Sequence, residues 1–174
     1  MRTRGLPIIA AVTAIVLLIA TAALAAPTED LPLNERLEGH LTTEPGPAPQ
    51  GRCSAPALLL SYAGEGNISH MGKVTWSSTH CTYVNDHWEP IGQFGQAELV
   101  IVAANGDEVH GTYEGSVTGP TTFIETMTIT GGTGRFLGAI GVAAETGSLD
   151  PVTYDIEIRG EGWISYEASQ RADR

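Results

Sequence analysis

From residue 57 to residue 166 the chain alternates apolar with polar side chains, and glycine interrupts the alternation every few positions. No apolar repeat of 3.6 residues develops anywhere in that span. A period of two is the signature of a strand with one buried face, so helical folds are excluded and an all-β domain is required. Between residues 64 and 76 the even positions are Gly64, Gly66, Ile68, His70, Gly72, Val74 and Trp76, while the odd ones are mostly polar. Residues 99–104 form a short apolar strand, and Asn105-Gly106-Asp107 follows as a hairpin turn. The return strand turns Val109, Gly111, Tyr113, Gly115 and Val117 inward and Glu108, His110, Thr112 and Glu114 outward. Residues 121–130 are rich in threonine and β-branched side chains, with Phe123, Glu125, Met127 and Ile129 on one face. Residues 152–166 alternate again, placing Val152, Tyr154, Ile156, Ile158, Ile164 and Tyr166 together.

Strands in series, joined by short turns without helices, build a sandwich or a closed antiparallel barrel. Glycines on the inward face favour the barrel, because they relieve crowding where strands coil tightly. The expectation is an antiparallel barrel of about eight strands over residues 58–166, whose interior is either packed or holds one small ligand.

The N-terminus specifies a destination. Met1-Arg2-Thr3-Arg4 is basic, residues 5–26 carry no charge, and Ala23-Leu24-Ala25 offers small residues at a cleavage site. This is the layout of a secretory signal peptide over residues 1–25, with an uncleaved anchor as the alternative. The chain is therefore expected to be secreted or periplasmic, with no stable membrane association once the signal is cut. Residues 26–52 include Glu44-Pro45-Gly46-Pro47-Ala48-Pro49, and prolines at that density read as an extended or mobile leader. Residues 37–43 could add an edge strand. The barrel domain is expected over residues 53–168 and a polar tail over residues 169–174.

Outside a reducing cytosol, the isolated pair Cys53 and Cys81 is expected to form one disulfide. The 174 residues carry a formal charge of −11 with a single lysine, Lys73, which excludes a nucleic-acid binder. Hydrophobic content of 42% requires a real core rather than a disordered acidic tail.

The most distinctive run is Thr128-Ile129-Thr130-Gly131-Gly132-Thr133-Gly134-Arg135-Phe136-Leu137-Gly138-Ala139-Ile140-Gly141. Gly132, Gly134 and Gly138 keep the spacing of a dinucleotide loop, with Asp155 near the position of a ribose acid. Context excludes that reading, since such a loop opens a large domain of alternating strands and helices and the residues after Gly141 read as strand. Gly131, Gly132, Thr133, Gly134, Arg135 and Phe136, followed by Ala139 and Gly141, resemble instead the motif of the allene oxide cyclase and dirigent-like barrel superfamily. The likeness is to its secreted bacterial members. The stretch His70-Met71-Gly72-Lys73 is also similar to the opening strand of those proteins. The resemblance implies an eight-stranded antiparallel barrel and gives the motif a structural role. Its glycines permit a tight turn, Phe136 folds back into the core, and Arg135 bonds loop carbonyls or a neighbouring carboxylate. The plant cyclase's catalytic residues cannot be placed on this chain, so no catalytic residue is assigned.

Two ionisable residues fall on inward faces, His70 beside Trp76, and Glu125 beside Phe123; with Tyr113 these are the candidates to line a pocket. His80, Asp86 and His87 lie near Cys81, but their spacing matches no compact zinc pattern, so neither a metal nor a cofactor is expected. Asn67-Ile68-Ser69 is a glycosylation sequon, meaningful only in a eukaryotic secretory pathway. The function expected first is a non-catalytic exported barrel binding a small apolar ligand or a partner. The alternatives are a cyclase-like or dirigent-like enzyme or guide acting on a lipid or phenolic, and a packed structural envelope protein. Polar groups converging in a cavity would favour the enzyme or guide.

Overall fold

A computed structural model describes residues 30–167. The expected signal peptide, its cleavage site and the polar tail lie outside the described residues. The strands are β1 (Leu31–Leu41), β2 (Gly46–Pro47), β3 (Ala57–Ile68), β4 (Gly72–Val84), β5 (Pro90–Ala103), β6 (Glu108–Val117), β7 (Thr122–Gly132), β8 (Ile140–Leu149) and β9 (Asp155–Ser165). Each long strand pairs antiparallel with its neighbour, in the order β1-β9-β8-β7-β6-β5-β4-β3, and β1 pairs again with β3. The result is a closed barrel of eight strands, with the two-residue β2 appended to β3. Among the described residues the one helical element is a single 3₁₀ turn at Gly134–Phe136.

The leader expectation needs correction. Within residues 26–52, residues 31–41 are part of the barrel, because β1 supplies the strand that closes it. Leu37 of β1 pairs with Ile158 of β9 on one side and with Gly66 of β3 on the other. Leu33, Glu35 and Leu37 are buried while Asn34, Arg36 and Glu38 are exposed, which is the same period of two as elsewhere. The prolines that suggested a mobile segment stand at the start of β1 and after it, where a missing ladder donor costs least.

Cys53 and Cys81 are joined, with Cα atoms 6.0 Å apart. The bond ties the connection before β3 to the middle of β4, and closing that loop contributes about 3–4 kcal/mol by the chain-entropy argument. Arg52 lies alongside and donates to the Gln96 carbonyl at 2.8 Å.

The barrel is plugged at one end. There the β3–β4 turn, the Asn105-Gly106 hairpin and the β7–β8 connection meet, and Met71, Val74, Ile101, Val109, Ile129, Phe136, Ala139 and Ile164 are all buried. The glycine motif builds this plug. Gly134 adopts φ 54°, a left-handed conformation that lets the chain reverse and drive Phe136 inward. The Phe136 ring is fully buried and packs on Tyr166 with centroids 5.0 Å apart. Thr133 Oγ1 accepts from the Glu108 N–H at 2.9 Å, and Arg135 Nε lies 3.7 Å from Asp107. The β9 expectation is shortened: residues 152–154 form a turn, so Val152 and Tyr154 are exposed rather than inward.

Candidate functional site

Toward the other end the interior is not filled. A cavity of about 250 Å³ lies among all eight barrel strands and reaches the rim at Pro90, Gly92, Val117 and Leu149. Its walls are mainly apolar, with Leu37, Leu60, Trp76, Phe94, Leu99, Phe123, Ile156 and Ile158 among them. The polar groups that line it are few: Ser78, His80, Thr82, Gln93, Tyr62, Tyr113, Glu125 and Glu145.

Trp76, Tyr113, Phe123 and Glu125 stand at the cavity as their strand parity requires. His70 does not. It sits in the β3–β4 turn with φ 66°, exposed at the plugged end, and its Nε2–H donates to the Pro32 carbonyl at 3.0 Å. The alternation over residues 64–76 spans two strands and a turn, so parity carried across that turn puts His70 on a face it does not share.

In its place the pocket histidine is His80. Tyr113 donates its phenol proton to Ser78 Oγ at 2.9 Å. The phenol has one proton, so the contact between His80 and Tyr113 at 2.7 Å requires His80 Nδ1–H as the donor. His80 Nε2 then accepts from the Thr82 hydroxyl at 3.1 Å. The imidazole stacks on Phe94, centroids 5.1 Å apart, and meets Tyr113 edge-on. Burial, aided by the Arg52 charge, lowers the His80 pKa to about 4, so the ring is neutral and holds this tautomer at neutral pH. Burial raises the Tyr62 phenol to about 12 and pushes Tyr113 higher still, so both remain donors. The sequence signal was present but weak: Ser78 and His80 share the parity of Val74 and Trp76 on β4.

The opposite wall carries a ladder of carboxyls. Glu125 of β7 faces Glu145 of β8, Glu145 faces Gly160 of β9, and Gly160 faces Glu35 of β1. All three glutamates are buried. Gly160 is what lets the row continue across β9, since a Cβ there would overlap Glu35 Oε1 and Glu145 Cγ. Neither carboxyl oxygen of Glu35 meets an N–H or hydroxyl donor; the group it reaches is the Glu145 carboxyl. A hydrogen bond between two carboxyls needs a proton on one of them. Desolvation raises all three, Glu125 to about 7, Glu145 to about 8 and Glu35 to about 10, and mutual repulsion adds to it. The three therefore titrate as a set that holds protons at neutral pH. Glu125 and Glu145 line the cavity; Glu35 stands behind them toward the plugged end.

His87 and Asp86 are exposed in the β4–β5 connection, away from His80. Among the described residues no cluster of three His, Cys, Asp or Glu is arranged to hold a metal ion.

Among the solved structures that share this architecture are two dirigent proteins. The pterocarpan synthase dirigent protein PsPTS1 superposes with a TM-score of 0.52 at 14% identity, covering 79% of this chain and 96% of that one. The pterocarpan synthase dirigent protein GePTS1 gives 0.51 at 14% identity, covering 82% and 94%. The fold is that of a dirigent-like barrel. No protein-family model matches the sequence, and no curated protein matches it. The dirigent-like resemblance read from the glycine motif thus holds at the level of the fold.

Proposed function

We propose that this dirigent-like barrel is a binding chamber that takes a compact, mostly apolar ring compound at its open end and orients it for reaction. The observation that carries this reading is convergence: the Ser78–Tyr113–His80 network and the Glu125–Glu145 pair face one apolar cavity from opposite walls. A passive apolar store needs no such groups, and burying them without use is costly. A volume of about 250 Å³ suits a molecule of two rings better than a long-chain lipid. Trp88, Ile91, Val117 and Val152 are exposed around the rim, an apolar threshold for such a molecule. The chemistry these residues support is acid–base: Glu125 or Glu145 carries or accepts a proton, while Tyr113, its own proton held by Ser78, accepts from a ligand hydroxyl through its remaining lone pair. Export rests on the residues 1–25 signal pattern, and the Cys53–Cys81 disulfide supports a compartment outside the reducing cytosol.

The test uses the neutral fluorophore N-phenyl-1-naphthylamine and its displacement by naphthalene and 2-naphthol. Saturable fluorescence enhancement is expected, weakened at least fivefold by Thr82→Met, which fills the cavity. The hydroxyl should make 2-naphthol the better competitor, and Tyr113→Phe should remove that advantage. Absence of saturable binding would establish the packed structural reading. Equal displacement by both competitors would establish passive apolar binding.

A further inference from the structure

The cavity holds more negative charge potential than the described residues balance. Of the five basic side chains among the described residues, Arg36, Lys73, Arg135 and Arg159 are exposed and Arg52 is half-buried beside the Cys81 sulfur. Lys73 pairs with Glu65 and Arg135 with Asp107; Arg52, whose charge His80 feels, is held by Glu98 and the Gln96 carbonyl. None of the five lines the cavity. Two buried carboxyls that do line it face each other across β7 and β8, and a third behind them has both oxygens without a donor. Tyr62 and Trp76 stand on the far wall, and Phe94, Tyr113 and Phe123 stand beside the carboxyls. Carboxylates and aromatic rings that share a partly dry space are the two features that recognise an organic cation.

From the unbalanced carboxyls and the aromatic wall together, we infer that the ligand of this chamber carries a protonated or quaternary nitrogen on a ring-sized apolar body. The inference rests on the reading of the cavity as a binding chamber and names the ligand class. The nitrogen sits against Glu125 and Glu145, supplying the counter-charge that no described residue brings to the cavity, and the apolar body lies among the rings. Without the ligand the carboxyls satisfy themselves by retaining protons; with it they give a proton to solvent and keep the charge. An inorganic ion suits this wall less well, because rings rather than further oxygen donors complete the shell.

Phenyltrimethylammonium and tert-butylbenzene have the same shape and differ in charge. A neutral apolar cavity must prefer tert-butylbenzene, since the cation loses hydration on entry. Each competes against N-phenyl-1-naphthylamine at pH 8 and at pH 5.5, with wild type and Glu125→Gln/Glu145→Gln. The groups facing the cationic site are Glu125 on β7, Glu145 on β8, Glu35 on β1, Tyr62 on β3, His80 on β4 and Tyr113 on β6; β5 and β9 contribute Phe94 and Gly160 there. His80 and both tyrosines stay uncharged across that interval, so any change reports the glutamates. At pH 8 the ammonium should displace the fluorophore at a concentration at least tenfold below that of tert-butylbenzene. At pH 5.5, and in the double variant, the advantage should fall to threefold or less. Glu125→Gln alone gives the same comparison if the double variant does not fold, and the wild-type pH pair needs no variant. Saturable fluorophore binding with tert-butylbenzene equal or better at pH 8 overturns the cation assignment and leaves the chamber intact. Failure of the fluorophore to saturate overturns both.

Discussion

At the plugged end of the barrel, Ile101, Val109, Ile129, Phe136 and Ile164 are each 2% exposed or less, and their rings and branches fill the space between strands. At the open end, Tyr62, His80, Phe94 and Tyr113 surround a void instead. Both ends use inward residues of the same eight strands, so alternation alone does not decide which end packs. The connections decide it. The β7–β8 connection turns at Gly134 and lays a phenylalanine across the barrel axis; the β4–β5 and β8–β9 connections leave Trp88 and Val152 in solvent. One end is a core that happens to be tubular. The other is a cavity.

The largest effect should come from breaking the plug. Phe136→Ala removes a fully buried ring from a region that cannot collapse, and is expected to cost about 3–5 kcal/mol in denaturant unfolding. Phe94→Ala at the open end removes a ring that already borders empty space, and should cost less than half as much. Equal losses would mean that the open end is as tightly packed as the closed one.

The carboxyl ladder joins the two ends and gives the second effect. The three glutamates hold protons in the folded state well above the 4.5 at which they ionise when unfolded. The native state thus binds more protons than the unfolded state above that pH, and stability falls as pH rises from about 5 toward 8 and beyond. His80 works the other way, since burial keeps it neutral and costs stability as pH drops below its unfolded value of 6.5. Three carboxyls outweigh one imidazole, so thermal stability should peak near pH 5. Glu35→Gln provides an amide donor for Glu145 and removes the group with the highest pKa; a gain of about 2–4 kcal/mol at pH 8, with little change at pH 5, is expected. A melting temperature independent of pH between 5 and 8 would show that water reaches the ladder from the open end.

The alternation and the Asn105-Gly106 turn made the barrel legible in the sequence because both are local rules, and so did the fold-back of Phe136 within the glycine motif. Glu125 was legible for the same reason, as a charge inside an apolar parity row. Glu35 and Glu145 obey the same parity, in Leu33-Asn34-Glu35-Arg36-Leu37 and Ala143-Ala144-Glu145. They were passed over because the prolines around β1 masked a strand and because no local rule says that β1, β8 and β7 bring their glutamates into one row. That row depends on Gly160 in β9, a register fact invisible before the barrel closes. His70 fell on the wrong side of the same limit, since the turn at residues 69–71 carries no proline or Asn-Gly signal to stop the parity count.

The smallest expected effect lies one residue from the largest. Arg135 reaches Asp107 at 3.7 Å and covers the Phe136 ring at 4.6 Å, so it looks like part of the plug. Its side chain is 37% exposed, however, and a solvent-screened pair of that length contributes little. Asp107 also keeps other partners, accepting from Asn105 Nδ2 at 2.7 Å and from the Arg135 backbone N–H at 3.2 Å, which survive removal of the guanidinium. Arg135→Ala should therefore cost no more than about 1 kcal/mol, combining a weak ion pair with an exposed cation–π contact. Asp107→Ala removes the carboxylate that the hairpin and the motif share, and should cost about 1–2 kcal/mol. Chemical denaturation of the two variants and of their double gives the coupling directly. A loss above 2 kcal/mol for Arg135→Ala alone would mean that the guanidinium seals the closed end, and that the boundary between plug and surface lies one residue further out than burial places it.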